Sequence, residues 1–213
     1  MWDMQLVYIA DYWELMEAKF EELIEGFITG KVGISESFIS EQLSASLFEN
    51  LMALKNDGHM ATAGIGNALA KTNTVNIRTD RTSWLEAGTK NSAELEFLEI
   101  IERFIAYLNQ TCYTGLNASE FHYALYEEGS FYGRHKDQFR NNNNRKYSMI
   151  SYLNENWVES NGGQLVIHHE ERSAQSILPM NCRTVFFQSE ILEHEVLKAN
   201  RSRMSVTGWL KRI

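Results

Sequence analysis

The sequence predicts an α+β protein in which helices come first and an antiparallel β-sandwich or jelly roll follows. Two observations support this fold class. Through most of the chain before Gly115, apolar residues recur at three- and four-residue spacing, which is the period of a helix with one buried face. After Gly115 the chain consists of short stretches rich in β-branched and aromatic residues, separated by turn-like segments. Such stretches are typical of antiparallel sheets that pack on one another.

Three helices are expected in the first part of the chain. The apolar stripe of the first helix consists of Trp13, Met16, Phe20, Leu23 and Phe27. Gly30 ends this stripe. The second helix runs through SEQLSASLFENLMALKNDG and ends at Asp57 and Gly58. The third, SAELEFLEIIERFIAYLNQTCYTG, is expected to end at Gly115. Between the second and the third helix, TNTVNIRTD alternates apolar with polar residues, which predicts a strand.

The rest of the chain is expected to contain about eight short strands. The stretches that predict them are SEFHYALYE, SFYGRHKDQF, RKYSMISYL, GGQLVIHH, RTVFFQS, HEVLK and RMSVTGWLKR. Glycine-, asparagine- and serine-rich segments such as EEGS, NNNN and ESNGG separate them and are typical of turns.

Length and composition narrow the class of protein. A chain of 213 residues fits one domain, and a net charge of −8 opposes a nucleic acid or an anionic membrane as a general partner. Cys112 and Cys182 stand alone, which fits a reducing compartment and forms no zinc-type spacing. The N-terminus lacks the basic segment of a signal peptide, and no apolar run reaches membrane-spanning length. We therefore expect a cytoplasmic protein.

The stretch FYGRHKDQF carries a histidine and an aspartate that point to metal chemistry. On a strand, residues two apart face the same side, so His135 and Asp137 would both face the interior of the roll. An imidazole and a carboxylate are two of the three ligands of the facial triad that holds Fe(II) and leaves coordination positions open. The third ligand would be a histidine on another strand, and the candidates are His59, His122, His168, His169 and His194.

His194 is favoured among these because of the segment that follows it. Nine residues later, Arg203 begins a strand in RMSVTGWLKR. An arginine buried in a roll needs an anion, since an unpaired buried charge is costly, and its planar guanidinium fits a carboxylate through two hydrogen bonds. A dicarboxylate that also chelates iron would satisfy both Arg203 and the open metal positions.

These segments together resemble the iron- and 2-oxoglutarate-dependent dioxygenases of the prolyl 4-hydroxylase type, in particular bacterial relatives of the oxygen-sensing prolyl hydroxylases. The pattern Y-x-x-G-x-x-Y-x-x-H-x-D consists here of Tyr126, Gly129, Tyr132, His135 and Asp137. HEVLKANRSRMSVTGW downstream and NIRTDRTSWLE upstream also resemble segments of that family. The resemblance implies a double-stranded β-helix (jelly roll) over residues 70–213, supported by a mainly helical part over residues 1–69 of the same domain.

The resemblance also implies three groups of site residues. The ligands of Fe(II) would be His135, Asp137 and His194. Arg203 and Tyr152 would bind the distal carboxylate of 2-oxoglutarate, and Tyr126 would approach the end of 2-oxoglutarate that lies near the metal. The residues matched on the substrate side are Arg78, Asp80, Trp84 and Trp209.

The implied reaction consumes O2 and 2-oxoglutarate and releases succinate and CO2, with ascorbate as a candidate reductant. The favoured substrate is a prolyl residue of a cytosolic protein, hydroxylated at C4, because the upstream hairpin would cover an extended chain. A free amino acid or another small molecule is the first alternative. Nucleic-acid demethylation is the second, although related demethylases carry an arginine where this chain has Trp209. A non-catalytic jelly-roll binding module or structural metal site is the third, and it would tolerate loss of Arg203 or Asp137, which are both present.

Overall fold

The computed structural model describes residues 2–63, 78–86, 88–137 and 143–213, and of residues 2–12 only the backbone. Its helices are α1 (Trp2–Gly30), α2 (Glu41–Asn56) and α3 (Ser92–Cys112). Its strands are β1 (Val32–Ser35), β2 (Ala61–Thr62), β3 (Arg81–Trp84), β4 (Ala118–Tyr126), β5 (Tyr132–His135), β6 (Arg145–Tyr152), β7 (Leu165–His168), β8 (Gln175–Ile177), β9 (Thr184–Gln188), β10 (Glu193–Val196) and β11 (Arg203–Lys211).

The described strands form two antiparallel sheets. The large sheet has the order β1-β9-β6-β11-β4-β3-β2, and the small sheet has the order β5-β10-β7-β8. One apolar cluster joins the two sheets, because it contains Tyr126 and Ile150 of the large sheet together with Leu165, Ile167 and Val196 of the small one. The sheets therefore face each other as the two layers of a β-roll, which agrees with the predicted α+β class.

The helices cover the other face of the large sheet. Phe20 of α1 packs against Phe104 of α3 with ring centroids 5.1 Å apart, and Phe104 packs against Phe186 of β9 at 5.4 Å. Gly33 allows α1 to lie this close to β1, because a Cβ atom at Gly33 would stand 2.0 Å from the carbonyl oxygen of Leu23. The result is a rigid support behind the sheet that carries much of the site.

The helix ends show where local sequence decides the fold. The side chain of Ser40 accepts a hydrogen bond from the N–H of Leu43 at the start of α2, and Asn91 does the same for the N–H groups of Ala93 and Glu94 at the start of α3. These are typical N-caps, since they satisfy N–H groups that have no partner within the helix.

None of the described helices is long and apolar enough to cross a membrane.

Helix α3 ends earlier than the sequence predicts. Its last residue is Cys112 and not Gly115, and Tyr113 caps it in the left-handed conformation with φ 54°. The side chain of Asn109 explains the early end, because it accepts hydrogen bonds from the N–H of Leu116 and the hydroxyl of Thr114 and donates one to the Leu116 carbonyl. Asn109 thus binds the chain as it leaves the helix.

Two further predictions bear on the part of the chain before α3. Most of the strand predicted over TNTVNIRTD, and the predicted boundary at residues 69–70, lie outside the described residues. The part that is described contains a single bridge between Arg78 and Tyr132, and then β3 from Arg81. Strand β1 was not predicted, and it pairs with β9 at the edge of the large sheet.

Candidate metal centre and cosubstrate pocket

Three side chains predicted as metal ligands lie together between the two sheets. The antiparallel register of β5 and β10 places His194 opposite His135, and Asp137 follows in the bend after β5. The Nε2 atom of His135 lies 3.3 Å from Oδ1 of Asp137, and that of His194 lies 3.5 Å from Oδ2. One ligand atom of each residue lies within 4.8 Å of the others, a spacing that a single metal ion can bridge.

Asp137 reaches this position in a different way from the one predicted. The expected strand over both residues ends at His135, so alternation along a strand does not orient the aspartate. The hydroxyl of Ser148 on β6 orients it instead, donating to Oδ2 at 2.8 Å. Ser148 is fully buried and its oxygen lies 2.9 Å from the hydroxyl of Ser189.

Backbone carbonyls set the tautomer of both imidazoles. The Nδ1 atom of His135 lies 2.9 Å from the carbonyl oxygen of Gly133, and that of His194 lies 3.2 Å from the carbonyl oxygen of Leu192. A carbonyl oxygen only accepts, so Nδ1 carries the proton in each ring and Nε2 keeps its lone pair. Both lone pairs are therefore available on the side of Asp137.

The protonation states of the buried pair suit a divalent cation. Burial raises the pKa of Asp137, but the neighbouring His194 and the hydrogen bonds of His135 and Ser148 outweigh burial and hold it well below its usual range. Burial lowers the pKa of His194 to about 4. Near neutral pH the aspartate is thus an anion and His194 is neutral, which are the forms that bind metal.

Arg203 lies buried with part of its hydrogen-bonding capacity unused. The residue is 1% exposed, and its Nε donates to the Gly163 carbonyl at 2.9 Å. Within the described part of the chain, neither its Nη2 nor the hydroxyl of Tyr152 has a hydrogen-bond partner. The guanidinium carbon lies 4.9 Å from the ring centroids of both Tyr126 and Tyr152.

The donors around Arg203 fit a carboxylate. Burial raises the pKa values of Tyr126 and Tyr152 above their usual value, so both phenols stay protonated and Tyr152 can donate its proton. A charged guanidinium nitrogen and a phenol that are buried without partners each cost free energy. A carboxylate offers the acceptors that both lack. The residues present therefore fit the distal end of 2-oxoglutarate.

One cavity of about 320 Å³ joins most of the predicted site residues. Those that line it are Arg78, Trp84, Tyr126, His135, Asp137, His194, Arg203 and Trp209. Asp80 does not line it, and neither does Tyr152, although the Tyr152 ring lies against the guanidinium of Arg203, which does. The carboxylate of Asp80 is fully buried and pairs with Arg78, with Nε–Oδ1 at 2.7 Å and Nη2–Oδ2 at 2.5 Å. Asp80 thus reaches the cavity only through Arg78.

Three aromatic rings form one wall of the cavity. Trp84 is 52% exposed, and its ring lies 4.8 Å from the ring of His122, which is its direct partner across β3 and β4. His122 in turn lies 5.5 Å from Trp209. Burial lowers the pKa of His122 to about 4, so its ring is neutral near pH 7. His122, one of the candidates for the third metal ligand, belongs to this wall and not to the cluster of His135, Asp137 and His194.

Arg145 also lines the cavity, although no pattern in the sequence indicates it. Its guanidinium lies 3.4 Å from the ring centroid of Trp209, and its Nε donates to Glu120 at 2.7 Å. Glu120 also accepts from Lys211 at 2.9 Å, and Arg145 Nη1 donates to the backbone oxygen of Asp137 at 3.3 Å. Only the register of β4, β11 and β6 brings these charges together, and no local pattern encodes that register.

Comparison with known proteins agrees with this geometry. A family model of the 2OG-Fe(II) oxygenase superfamily matches residues 121–211. A prolyl-4-hydroxylase from Pseudomonas putida is 30% identical, with a TM-score of 0.81 over 91% of this chain and 99% of that chain. The prolyl hydroxylase of Trichoplax adhaerens, solved in complex with a hypoxia inducible factor oxygen degradation domain peptide fragment, is 24% identical, with a TM-score of 0.82 over 94% and 93%. A viral collagen prolyl hydroxylase from Paramecium Bursaria Chlorella virus-1, solved with 2-oxoglutarate, is 15% identical, with a TM-score of 0.60 over 85% and 96%.

The similarity to the Pseudomonas putida enzyme extends over nearly the whole of both chains. The shared fold confirms the predicted double-stranded β-helix with supporting helices. The family match and the 30% identity to a prolyl-4-hydroxylase favour an enzyme over the alternative of a non-catalytic binding module. The chain therefore belongs to the 2OG-Fe(II) oxygenase superfamily and is a 2-oxoglutarate-dependent dioxygenase of the prolyl 4-hydroxylase type, with Fe(II) and 2-oxoglutarate as its cofactor and cosubstrate.

Proposed function

We propose that this dioxygenase hydroxylates a prolyl residue of a polypeptide at C4. The observation that carries the proposal is a single cavity lined both by the cluster of His135, Asp137 and His194 and by Arg203. Two of the similar proteins support the choice of a prolyl substrate, since one is a bacterial prolyl-4-hydroxylase and the other is a prolyl hydroxylase solved in complex with a peptide.

The three clustered side chains would hold Fe(II) as a facial triad. Two neutral imidazoles and one carboxylate leave coordination positions open for other ligands. When bound, Fe(II) supplies the activation of O2 that couples decarboxylation of 2-oxoglutarate to insertion of one oxygen atom into a C–H bond. The protein's own part is to hold Nε2 of His135 and of His194 and the carboxylate of Asp137 at fixed positions before the cation arrives.

Arg203 and Tyr152 would bind the distal carboxylate of 2-oxoglutarate, and Tyr126 would approach the end near the metal. The unpartnered Nη2 of Arg203 supports this assignment. In the large sheet Arg203 pairs directly with Tyr126, so one strand register positions both contacts. Because Gly163 O already binds Nε of Arg203, the guanidinium is oriented before the cosubstrate binds.

The aromatic wall of Trp84, His122 and Trp209 would receive the prolyl ring. A prolyl residue has no N–H group, and its ring presents apolar CH2 groups that pack well on aromatic faces. Arg78 lines the same cavity and would contact the polypeptide near the rim. A cytosolic target, the cytoplasmic location of the enzyme and ascorbate as its reductant stay predictions from the sequence.

The substrate class can be tested with a set of peptides. The enzyme is incubated with Fe(II), 2-oxoglutarate and O2, and succinate release and gain of one oxygen atom are measured for peptides that contain proline and for the same peptides with alanine in its place. We expect succinate and oxygen gain only with proline, and neither in His194→Ala. Oxygen gain on free proline or another free amino acid, with none on any peptide, would contradict the proposal and support the small-molecule alternative.

A further inference from the structure

A chain of four side chains connects a buried ion pair with the metal cluster. The rings of His135 and Tyr132 are stacked, with centroids 3.6 Å apart and an interplanar angle of 14°. The guanidinium carbon of Arg78 lies 4.4 Å from the centroid of the Tyr132 ring. The imidazole already covers one face of that ring, so there is room for Arg78 only on the other. Asp80, with its side chain fully buried, holds Arg78 through two hydrogen bonds.

His135 depends on this stack more than His194 does. The side chain of His194 is 4% exposed, and its ring also packs edge-on against Phe187 at 4.8 Å. The side chain of His135 is 15% exposed. One hydrogen bond from Nδ1 to the Gly133 carbonyl leaves the imidazole plane free to tilt, and the parallel contact with Tyr132 removes that freedom. The direction of the Nε2 lone pair therefore depends on the position of the Tyr132 ring.

The ion pair in turn determines where the Tyr132 ring lies. Backbone pairing holds the two segments together, since Arg78 bridges to Tyr132 and the N–H of Thr79 donates to the Phe131 carbonyl at 3.2 Å. The two hydrogen bonds of Asp80 then hold the guanidinium against the tyrosine. Removing one partner of such a buried pair leaves an uncompensated charge, which moves away from its site or draws in water.

We propose that the pair Arg78–Asp80 is a positioning device for the metal centre, which sets metal affinity by holding Tyr132 against His135. The inference rests on the proposed role of His135 as a metal ligand. It differs from a substrate-contact role, because Asp80 does not line the cavity. Arg78 does line it, so a ligand that displaces this guanidinium would also loosen the metal site.

Binding of Mn(II) alone, without 2-oxoglutarate or O2, tests the inference on the full chain. Mn(II) is followed by the electron paramagnetic resonance signal of the free ion. Groups that orient metal ligands typically contribute about 10- to 100-fold in metal affinity, so we expect roughly tenfold weaker binding in Asp80→Asn, Arg78→Gln and Tyr132→Leu. Tyr132→Phe keeps the stacked ring and should bind as the unmodified protein does.

A matched control lies on α3. There Arg103 lies 3.4 Å from the ring centroid of Trp13 and pairs with Glu99, so Arg103→Gln removes the same kinds of contact outside the cavity and should leave Mn(II) binding unchanged. Thermal unfolding of each metal-free variant separates affinity from stability. If Asp80→Asn does not fold, the comparison of Tyr132→Leu with Tyr132→Phe decides the matter.

Three results would overturn the inference, and they differ in what else they overturn. Normal Mn(II) affinity in Tyr132→Leu, together with loss of binding in His135→Ala, would show that the stack only stabilises the fold, and the metal assignment would stand. Normal affinity in His135→Ala would overturn the metal assignment and this inference together. Equal weakening in Tyr132→Phe and Tyr132→Leu would also contradict it, because the phenol oxygen and not the stacked ring would then matter.

Discussion

Replacing Arg203 with glutamine should weaken 2-oxoglutarate binding without affecting the metal. The substitution removes the charge and the unpartnered Nη2 but keeps an amide that can donate to the Gly163 carbonyl. Truncating one partner of a buried, hydrogen-bonded charge pair costs about 2–5 kcal/mol. Since each 1.4 kcal/mol is a factor of ten, the dissociation constant should rise about 30-fold to a few thousand-fold. We expect about 100-fold, because Tyr126 and Tyr152 remain in place.

Calorimetric titration of 2-oxoglutarate into the Mn(II)-loaded protein under argon measures this change without turnover. Arg201→Gln is the matched control, since Arg201 lies two residues away, is exposed, contacts the ring of Trp157 at 4.8 Å and donates to the Glu155 carbonyl. Arg203→Lys keeps the charge but loses the planar guanidinium, so its affinity for 2-oxoglutarate should lie between those of the unmodified protein and Arg203→Gln. An unchanged dissociation constant in Arg203→Gln would refute the assignment of the carboxylate site.

Three other changes test other parts of the site. Ser148→Ala should weaken Mn(II) binding about tenfold, because Asp137 loses its orienting hydroxyl, whereas Ser151→Ala on the same strand should not; equal affinities would contradict this. His122→Phe should reduce the fall in unfolding free energy of the metal-free protein between pH 6.5 and pH 4. On acidification through this pH range the unfolded state takes up the proton first, so the unfolding free energy falls by up to about 1.4 kcal/mol per pH unit. A urea-unfolding profile that has the same pH dependence in His122→Phe would contradict this prediction. Glu120→Gln should raise the KM for a prolyl peptide, because it releases Arg145, which Glu120 holds at the cavity. An unchanged KM would show that Arg145 does not contribute to substrate binding.

Much of the fold could be predicted because its signals are local. Apolar spacing indicated three helices, and turn-rich spacing indicated seven of the strands that the described structure contains after Gly115, but not the three-residue strand β8. The end of α3 was placed wrongly, because glycine is the usual terminator and Asn109 provides an unusual one through its side chain. Strand β1 was missed because it is only four residues long and exists through its pairing with β9.

The metal cluster could be predicted because its parts stand in an ordered pattern along the chain, with His194 indicated by its spacing from Arg203. The contacts that surround the cluster could not be predicted. Tyr132 stacks on His135 although both belong to one short strand, and the bend that brings Asp137 back to the cluster has no signal of its own. Arg145 meets Glu120 only because three strands align in one register.

The triad draws its support from both layers of the roll. The two imidazoles stand on β5 and β10 of the small sheet, whereas the hydroxyl that orients Asp137 comes from Ser148 on β6 of the large one. An ion held by all three side chains would therefore link β5 to β10 and, through Asp137 and Ser148, to the large sheet. A ligand at 100 times its dissociation constant raises the unfolding free energy by about 2.7 kcal/mol. Since β5 is an edge strand of the small sheet, depletion of the metal would weaken the attachment of this strand and so raise its susceptibility to proteases.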